Sequence, residues 1–361
     1  MSATKRLHEL GQSIWLDNIT RDLLNSGTLQ RYIEQLSVTG LTSNPTIFDQ
    51  ALKKSAAYDD AIRAGVRAGR TGEDLFFDLA LDDLGRAADL FRPAYERSGG
   101  VDGFVSLEVS PLLAYDTAST LRVARELHAR AARPNLHIKI PGTKEGLPAI
   151  EEATFAGVPV NVTLLFSPEQ YVAAAEAWLR GVERRIAAGL DPDVRSVASV
   201  FISRWDVAVA AQVPGDLKNQ LGNAIAGRTY AASRALQGSQ RWLRAQNAGA
   251  RPQRLLWAST GTKDPSAPDT LYVTPLAAPY TVNTMPEGTL LAFADHGDVG
   301  APMAADGGDA DEVIARHVRA GVDVDALARR LQEDGAKAFV KSWNELLEGI
   351  GRKAGAAGAA P

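Results

Sequence analysis

Cysteine is absent from the 361-residue sequence. Its absence excludes disulfides, zinc-thiolate centres and thiol nucleophiles, and it fits a reducing compartment. The sequence also lacks the two glycine-rich phosphate-binding patterns, G-x-G-x-x-G and G-x-x-x-x-G-K-[ST]. We therefore expect neither a dinucleotide fold nor a P-loop, and no cofactor.

Histidine is scarce and scattered. The histidines are His8, His128, His137, His296 and His317. Their positions lack the spacing of a ligand set, so we expect no metal site.

An excess of one charge and a long apolar run are missing as well. The chain has 39 Lys and Arg against 43 Asp and Glu, a net charge of −4. We expect no sequence-independent attraction to nucleic acid. No apolar stretch reaches the ~18–20 residues that span a bilayer, and the N-terminus carries Lys5, Arg6 and Glu9 where a signal peptide needs an apolar core. We expect a cytoplasmic protein with no membrane or nucleic-acid partner.

What is present is a recurring alternation of short apolar runs and helical stretches. The runs, each bounded by turn residues, are 13–19, 38–45, 103–109, 135–141, 159–166, 196–202, 254–260 and 280–285. Such alternation predicts a parallel sheet with helices on its faces.

Three helices have readable ends. Ser167, Pro168 and Gln170 form a capping box that begins a helix lasting until about Gly189. A second helix is expected from Thr71 to near Pro93. An amphipathic segment over 324–347 is typical of a helix that docks on the core.

The sequence predicts a single domain over 1–350, decorated with helical insertions near 46–102 and 204–252. Both segments are too long for one plain crossover helix. The low-complexity segment 351–361 is expected to be a flexible tail.

Polar side chains in the predicted strands follow a two-residue period, opposite an aliphatic face. They are Asp17, Asn44, Ser106, Glu108, His137, Lys139, Asn161, Thr163 and Ser199. Most lie toward the carboxyl ends of their strands. Because one face of every barrel strand points into the lumen and catalysis occurs at the carboxyl-terminal rim, this pattern favours a (β/α)8 barrel over an open sheet.

Most of these residues also have an ordinary structural explanation. Asp and Asn at strand ends commonly cap helices, Ser and Thr are usually structural, and His137 is expected to be a hydrogen-bonded interior side chain. Lys139 differs, because an ammonium between Ile138 and Ile140 is costly to bury unless it is paired or neutral.

A buried lysine beside two carboxylates suits Schiff-base chemistry. A neutral amine attacks a carbonyl, and the resulting iminium accepts electrons from an adjacent C–C bond. One acid/base group must serve the hydroxyl of the breaking bond, and another must move protons to and from water. Asp17 and Glu108 lie on separate strands and can fill these roles.

The chain resembles the transaldolase family. The blocks that carry the likeness are Trp15-Leu16-Asp17, Thr42-Ser43-Asn44-Pro45-Thr46, Val105-Ser106-Leu107-Glu108-Val109-Ser110-Pro111, His137-Ile138-Lys139-Ile140-Pro141-Gly142-Thr143, Asn161-Val162-Thr163-Leu164-Leu165-Phe166-Ser167 and Ser199-Val200-Phe201-Ile202-Ser203-Arg204. They occur in family order from the first strand to the sixth, and the rest of the chain matches more loosely.

The resemblance implies a class I aldolase-type barrel of the non-oxidative pentose phosphate pathway. It would transfer a dihydroxyacetone unit from fructose 6-phosphate or sedoheptulose 7-phosphate to an aldose phosphate. Lys139 corresponds to the Schiff-base lysine and Asp17 to the acid/base at the C4 hydroxyl. Glu108 with Thr163 would activate the catalytic water.

The same resemblance assigns the substrate-binding residues. Asn44 would hold donor hydroxyls, Ser199 would line the donor site, and Arg204 would bind phosphate. Many family members carry a second phosphate-binding arginine after the seventh strand. This chain has Lys263 there, which is either a substitute point charge or a solvated loop lysine.

Two alternatives remain at this level. A fructose 6-phosphate aldolase of the same fold would release free dihydroxyacetone, but such aldolases are shorter and generally lack the glutamate on the third strand. A non-catalytic barrel that binds sugar phosphates would not need a lysine and both carboxylates. The sequence leaves open whether the protein is a monomer or a homodimer.

Overall fold

The strands form a closed parallel barrel. A computed structural model describes residues 2–358, and side chains are described through residue 355. Within that range the strands pair in chain order and the last pairs with the first. They are β1 (Ser13–Leu16), β2 (Val38–Leu41), β3 (Val105–Glu108), β4 (Leu136–Pro141), β5 (Val160–Leu165), β6 (Ser196–Phe201), β7 (Arg254–Ala258) and β8 (Thr281–Met285).

This topology confirms the (β/α)8 barrel predicted from the sequence. Each predicted run contains an observed strand, and most runs continue one to four residues beyond it. Asp17 and Asn44 lie just past β1 and β2, where the chain leaves the sheet for the following loop or helix. The predicted aliphatic faces, such as Leu107, Ile138 and Val162, are buried against the surrounding helices.

Helices surround the barrel. They are α1 (Ala3–Glu9), α2 (Arg21–Asn25), α3 (Thr28–Gln35), α4 (Pro45–Lys54), α5 (Asp59–Arg67), α6 (Gly72–Arg97), α7 (Thr117–Ala131), α8 (Gly146–Phe155), α9 (Pro168–Ala187), α10 (Ser203–Val209), α11 (Leu221–Gln237), α12 (Gln240–Asn247), α13 (Glu287–His296), α14 (Ala310–Arg319) and α15 (Val324–Gly358). Short 3-10 turns cover Pro111–Leu113, Gly215–Leu217 and Thr274–Leu276. Along residues 2–358, no helix combines the length and apolar composition that crossing a bilayer requires.

The capping box predicted for α9 is present. The Ser167 hydroxyl accepts the Gln170 N–H at 3.2 Å, and the Gln170 side chain accepts the Ser167 N–H at 3.4 Å. The helix ends at Ala187, and Gly189 then takes a φ of +68° that favours glycine. Both ends of this helix were therefore encoded locally.

The predicted end of α6 near Pro93 is wrong. The helix continues through Pro93 to Arg97, and Thr71 makes no side-chain capping bond. Proline removes one backbone hydrogen bond, which normally stops a helix. Here Phe91 is fully buried in the core and Ala94 is buried after it, so tertiary packing holds both sides of the proline in one helix.

The C-terminal helix docks on the barrel, as expected for 324–347, and is longer than that segment. It packs on α4, α5 and α6, with Trp343 edge-on to Phe76 at 4.9 Å between ring centroids. The expected tail, 351–361, begins inside this helix, which runs to Gly358. Residues 359–361 lie outside the described residues, and the flexibility of the tail stays a prediction.

Both long segments expected to carry insertions are helical. Residues 46–102 contain most of α4 and all of α5 and α6, while 204–252 contain most of α10 and all of α11 and α12.

Candidate active site

Lys139 and Glu108 form a buried pair on neighbouring strands. They are register partners in the parallel pairing of β3 and β4, so their side chains share the lumenal face. Lys139 Nζ lies 3.2 Å from Glu108 Oε2, and the two residues are 5% and 4% exposed. Nζ also donates to the Ser43 carbonyl at 3.0 Å. The lysine predicted to be paired or neutral is therefore paired.

Glu108 is placed to exchange a proton with this amine. Burial raises its pKa, the charge of Lys139 lowers it, and the charge of Asp17 raises it, with a net rise above the ordinary value. Neither carboxylate oxygen accepts a well-aligned hydrogen bond within the described residues. A buried carboxyl group that has a raised pKa and is paired with the amine can take a proton from it and hold it.

Asp17 stands on the other side of the site, just after β1. Its backbone N–H donates to the Met285 carbonyl at 2.7 Å, and its carboxylate accepts the Thr42 hydroxyl at 2.7 Å. Burial raises the pKa of Asp17, while the hydrogen bond from Thr42 and the charges of Lys139 and Lys263 lower it, with a net rise. The second carboxyl group is thus also suited to proton transfer.

A cavity of about 100 Å³ at the carboxyl ends of the strands joins Asp17 and Lys139. Of the residues predicted from the sequence, Asp17, Asn44, Lys139, Thr163, Ser199 and Arg204 line it. Glu108 is not among the lining residues and contacts the site through its ion pair with Lys139. Lys263 is exposed and does not contribute to the described wall, although its charge reaches Asp17.

The other predicted binding residues are held by specific contacts. The Asn44 side-chain oxygen caps α4 by accepting the Ile47 N–H at 3.1 Å, as expected of an Asn at a strand end. The side-chain NH2 of Asn44 can still donate to a ligand in the cavity. The Ser199 hydroxyl donates to Asn161 at 2.7 Å. Thr163 is buried, and its hydroxyl has no partner among the described residues.

Arg204 provides a positive charge in the cavity wall. It is the second residue of α10, and its guanidinium lies 5.0 Å from the Phe201 ring and 5.9 Å from the Phe339 ring. Burial lowers its pKa, and the charge of Glu108 opposes that shift. A guanidinium that lies near two aromatic rings can still present paired donors to a phosphate.

Comparison with known proteins agrees with this geometry. The model of the family described as transaldolase/fructose-6-phosphate aldolase matches residues 14–350. The chain is 45% identical to a transaldolase of Thermobifida fusca, with 98% of each chain covered. It is also 45% identical to one of Parafrankia sp., over 97% of this chain and 98% of that one, and 44% identical to one of Thiobacillus denitrificans, over 97% and 100%.

The chain belongs to the transaldolase/fructose-6-phosphate aldolase family. This confirms the resemblance seen in the sequence, and the match extends well past Arg204 to residue 350. The last third of the chain, which resembles the family more loosely, therefore belongs to the same family match.

For this member of the transaldolase/fructose-6-phosphate aldolase family, the sequence left seven wall residues unassigned, of which Phe201, Leu256 and Ala258 are apolar strand residues. Thr42, Ser259 and Thr284 come from the strand ends, and Phe339 comes from α15, with its ring centroid 6.0 Å from Lys139 Nζ. Thr42 belongs to the motif Thr42–Thr46 that carries the family resemblance, so its place near the site could have been predicted from the sequence. The only sequence signal at Phe339 is the amphipathic pattern of its helix, and that pattern does not identify the surface against which the helix packs.

The environment expected for His137 is wrong. The residue is 1% exposed, as expected, but neither ring nitrogen has a hydrogen-bond partner among the described residues. Its ring stacks on Phe104 at 4.1 Å between centroids. It precedes Lys139 by two positions on β4, so it shares the lumenal face at the amino-terminal end of the barrel.

Proposed function

We propose that this chain acts as a transaldolase and that Lys139 forms the Schiff base. It transfers a dihydroxyacetone unit from fructose 6-phosphate or sedoheptulose 7-phosphate to erythrose 4-phosphate or glyceraldehyde 3-phosphate. The observation that carries the proposal is the contact of 3.2 Å between Lys139 and Glu108, together with Asp17, which lines the same cavity as Lys139. One amine and two proton-exchanging carboxyl groups are what the reaction requires.

The first stage joins the donor ketone to Lys139. Glu108 takes a proton from the ammonium, and the freed amine adds to the carbonyl carbon. The carbinolamine then loses its hydroxyl as water, with a proton returned by Glu108, and leaves an iminium. Glu108 and Thr163 hold that water, and the Thr163 hydroxyl has no partner among the described residues that would compete for it.

The second stage breaks and remakes a C–C bond. Asp17 takes the proton of the C4 hydroxyl, the C3–C4 electrons move into the iminium, and an aldose phosphate leaves. The enamine then attacks the acceptor aldehyde, and Asp17 returns its proton to the new hydroxyl. Water finally hydrolyses the iminium and releases the product ketose from Lys139.

Substrate binding is assigned to the remaining wall residues. Asn44 and Ser199 hold hydroxyls of the dihydroxyacetone unit, and Arg204 holds the phosphate. Lys263 stands outside the described wall, so we assign it a longer-range electrostatic contribution to phosphate binding.

Trapping the adduct tests the assignment. We expect borohydride with fructose 6-phosphate to attach a reduced three-carbon or six-carbon unit to Lys139, as located by peptide mass mapping. Lys139→Ala should lose the adduct and turnover, while the exposed control Lys54→Ala should keep both. A substrate-dependent adduct on another lysine, or turnover by folded Lys139→Ala, would refute the proposal.

A fructose 6-phosphate lyase is the second candidate, because the matching family model covers both activities. The two differ in what takes the enamine: an acceptor aldehyde in the transferase and a proton in the lyase. Turnover of fructose 6-phosphate that requires erythrose 4-phosphate supports the transferase. Release of free dihydroxyacetone without acceptor supports the lyase.

The setting of the reaction is also part of the proposal. We place the chain in the cytoplasm, since it lacks cysteine and its pathway would be cytoplasmic. We expect a monomer or a homodimer, which light scattering coupled to size-exclusion chromatography distinguishes.

A further inference from the structure

The C-terminal helix α15 meets the carboxyl-terminal rim of the barrel through residues of one helical face. Gln332, Gly335 and Phe339 follow one another at intervals of three and four positions, which places them on the same side of the helix. Gln332 Nε2 donates to the carbonyl oxygens of Gly142 at 3.1 Å and of Leu164 at 2.9 Å. These bonds join α15 to the carboxyl ends of β4 and β5.

Leu164 is held firmly where it meets α15. Its backbone has a φ of +59°, a value that residues other than glycine rarely adopt, and the register between β5 and β6 shifts between Val162 and Leu165. Such a bulge takes a residue out of the strand ladder, and Gln332 accommodates the carbonyl oxygen of Leu164. The Leu164 side chain is 1% exposed, so it has little room to move.

Gly335 lies where α15 comes close to Arg204. A Cβ atom at Gly335 would lie 2.9 Å from Leu164 Cδ2 and 3.2 Å from Arg204 Nη1. Both separations are shorter than an ordinary van der Waals contact. Glycine is unfavourable relative to alanine inside a helix, and here its missing side chain leaves the space that the guanidinium occupies.

Arg204 depends on packing for its orientation. The charge of Glu108 acts on it, but no carboxylate of the described residues forms a salt bridge with it. Its guanidinium instead lies within about 6 Å of the rings of Phe201 and Phe339, a distance at which a cation is attracted to an aromatic face. A long side chain that is already held in place loses less conformational entropy when it binds a ligand.

We propose that Gly335 and Phe339 are positioning residues that hold the Arg204 guanidinium toward the donor phosphate, so that α15 sets the preference of the site for phosphorylated sugars. The inference rests on the proposed function at one point, the assignment of the phosphate to Arg204. Gly335 is not part of the cavity wall and acts through Arg204. A methyl group at this position displaces the guanidinium, because Leu164 is buried whereas Arg204 borders the cavity and can move into it.

Binding of glucitol 6-phosphate to the full chain, measured by isothermal titration calorimetry, tests the inference. This phosphorylated sugar alcohol has no carbonyl group, so it cannot form a Schiff base. Gly335→Ala should raise its Kd about three- to tenfold, and Phe339→Leu, which removes the ring but keeps an apolar side chain, should do the same. Arg204→Gln should raise the Kd about 10- to 100-fold. The matched control Gly351→Ala adds a Cβ on the same helix with nothing within 4 Å and should bind as the unmodified chain does.

Two comparisons test whether Arg204 carries the effect. Gly335→Ala added to Arg204→Gln should raise the Kd no further, because the residue through which it acts is already changed. Borohydride trapping of dihydroxyacetone, which has no phosphate, should label Lys139 equally in Gly335→Ala and in the unmodified chain. Circular dichroism confirms that each variant is folded.

The inference is overturned if Gly335→Ala binds glucitol 6-phosphate as tightly as Gly351→Ala does, if it weakens binding equally in the Arg204→Gln background, or if it loses the dihydroxyacetone adduct. Absence of binding to the unmodified chain at millimolar concentration overturns it as well. An unchanged Kd in Arg204→Gln shows that the phosphate assignment of the proposed function is wrong, and this inference falls with it. A failure of the Schiff-base chemistry appears separately, as a missing dihydroxyacetone adduct in the unmodified chain, and leaves the binding result unaffected.

Discussion

Removal of the Thr42 hydroxyl tests the proposed proton-transfer role of Asp17. The Thr42 hydroxyl donates to Asp17 at 2.7 Å, and its oxygen accepts the Thr284 hydroxyl at 2.7 Å. Thr42→Val keeps the shape of the side chain and removes this donor. Asp17 then loses the hydrogen bond that most strongly opposes the effect of burial on its pKa.

The size of the effect follows from that one bond. A hydrogen bond to a charged group contributes about 1.5–3 kcal/mol, and a shift of one pKa unit corresponds to about 1.4 kcal/mol. Loss of the bond from Thr42 should therefore raise the pKa of Asp17 further above the ordinary value. Because the proposed C–C cleavage requires ionised Asp17, the acidic limb of the kcat profile should move to higher pH, and kcat at a fixed pH on that limb should fall about 10- to 100-fold.

The assay is kcat against pH with fructose 6-phosphate and erythrose 4-phosphate at saturation. Thr42→Ser retains the hydroxyl and should follow the unmodified chain. Thr284→Val removes the other partner of Thr42 and should leave the limb nearly in place. If the limb of Thr42→Val coincides with that of the unmodified chain, or moves to lower pH, Asp17 is not the base for cleavage.

Further predictions concern the acid/base group and the docking of α15. Asp17→Ala should still form the trapped adduct on Lys139 while turnover falls ~10²–10⁴-fold, and normal turnover would contradict its role. Because burial raises the pKa of Asp17 above 3.8, the folded chain binds this proton more tightly than the unfolded chain does, and the stability due to this group falls as pH rises through that window. Asp17→Asn should therefore increase the free energy of unfolding near neutral pH and not below the unfolded-state pKa, as urea titrations at both pH values would show. Trp343 is 1% exposed and donates to Glu73 at 3.1 Å, so Trp343→Ala should cost about 3–5 kcal/mol in urea denaturation, whereas exposed Lys341→Ala should cost little.

The barrel strands and their polar face could be predicted from the sequence because their signals are local. The alternation in β3 and β4 places Ser106 and Glu108 opposite Val105 and Leu107 whatever the rest of the chain does, and strand geometry alone sets that period. The capping box of α9 is likewise complete within four residues. In such segments, local preference and final packing agree.

The end of α6 could not be predicted from the sequence because tertiary packing, not a local signal, sets it. Proline predicts a stop from the backbone around it, but burial of Phe91 outweighed the lost hydrogen bond. The position of Phe339 in the cavity wall and the lack of hydrogen-bond partners for His137 also depend on tertiary contacts, so neighbouring residues in the sequence do not predict them. An amphipathic pattern says that a face is buried and does not name its partner.

The sequence by itself determined the strands, their polar face, the family resemblance and the candidates for the Schiff base and acid/base roles. Tertiary structure decided the contacts among them. Lys139 meets the Ser43 carbonyl across 96 positions of chain, and Thr42 meets Thr284 across 242. Such contacts exist only because the barrel closes, which brings the strand ends into one rim. Closure depends on the pairing of all the strands at once, and no short segment of sequence specifies it.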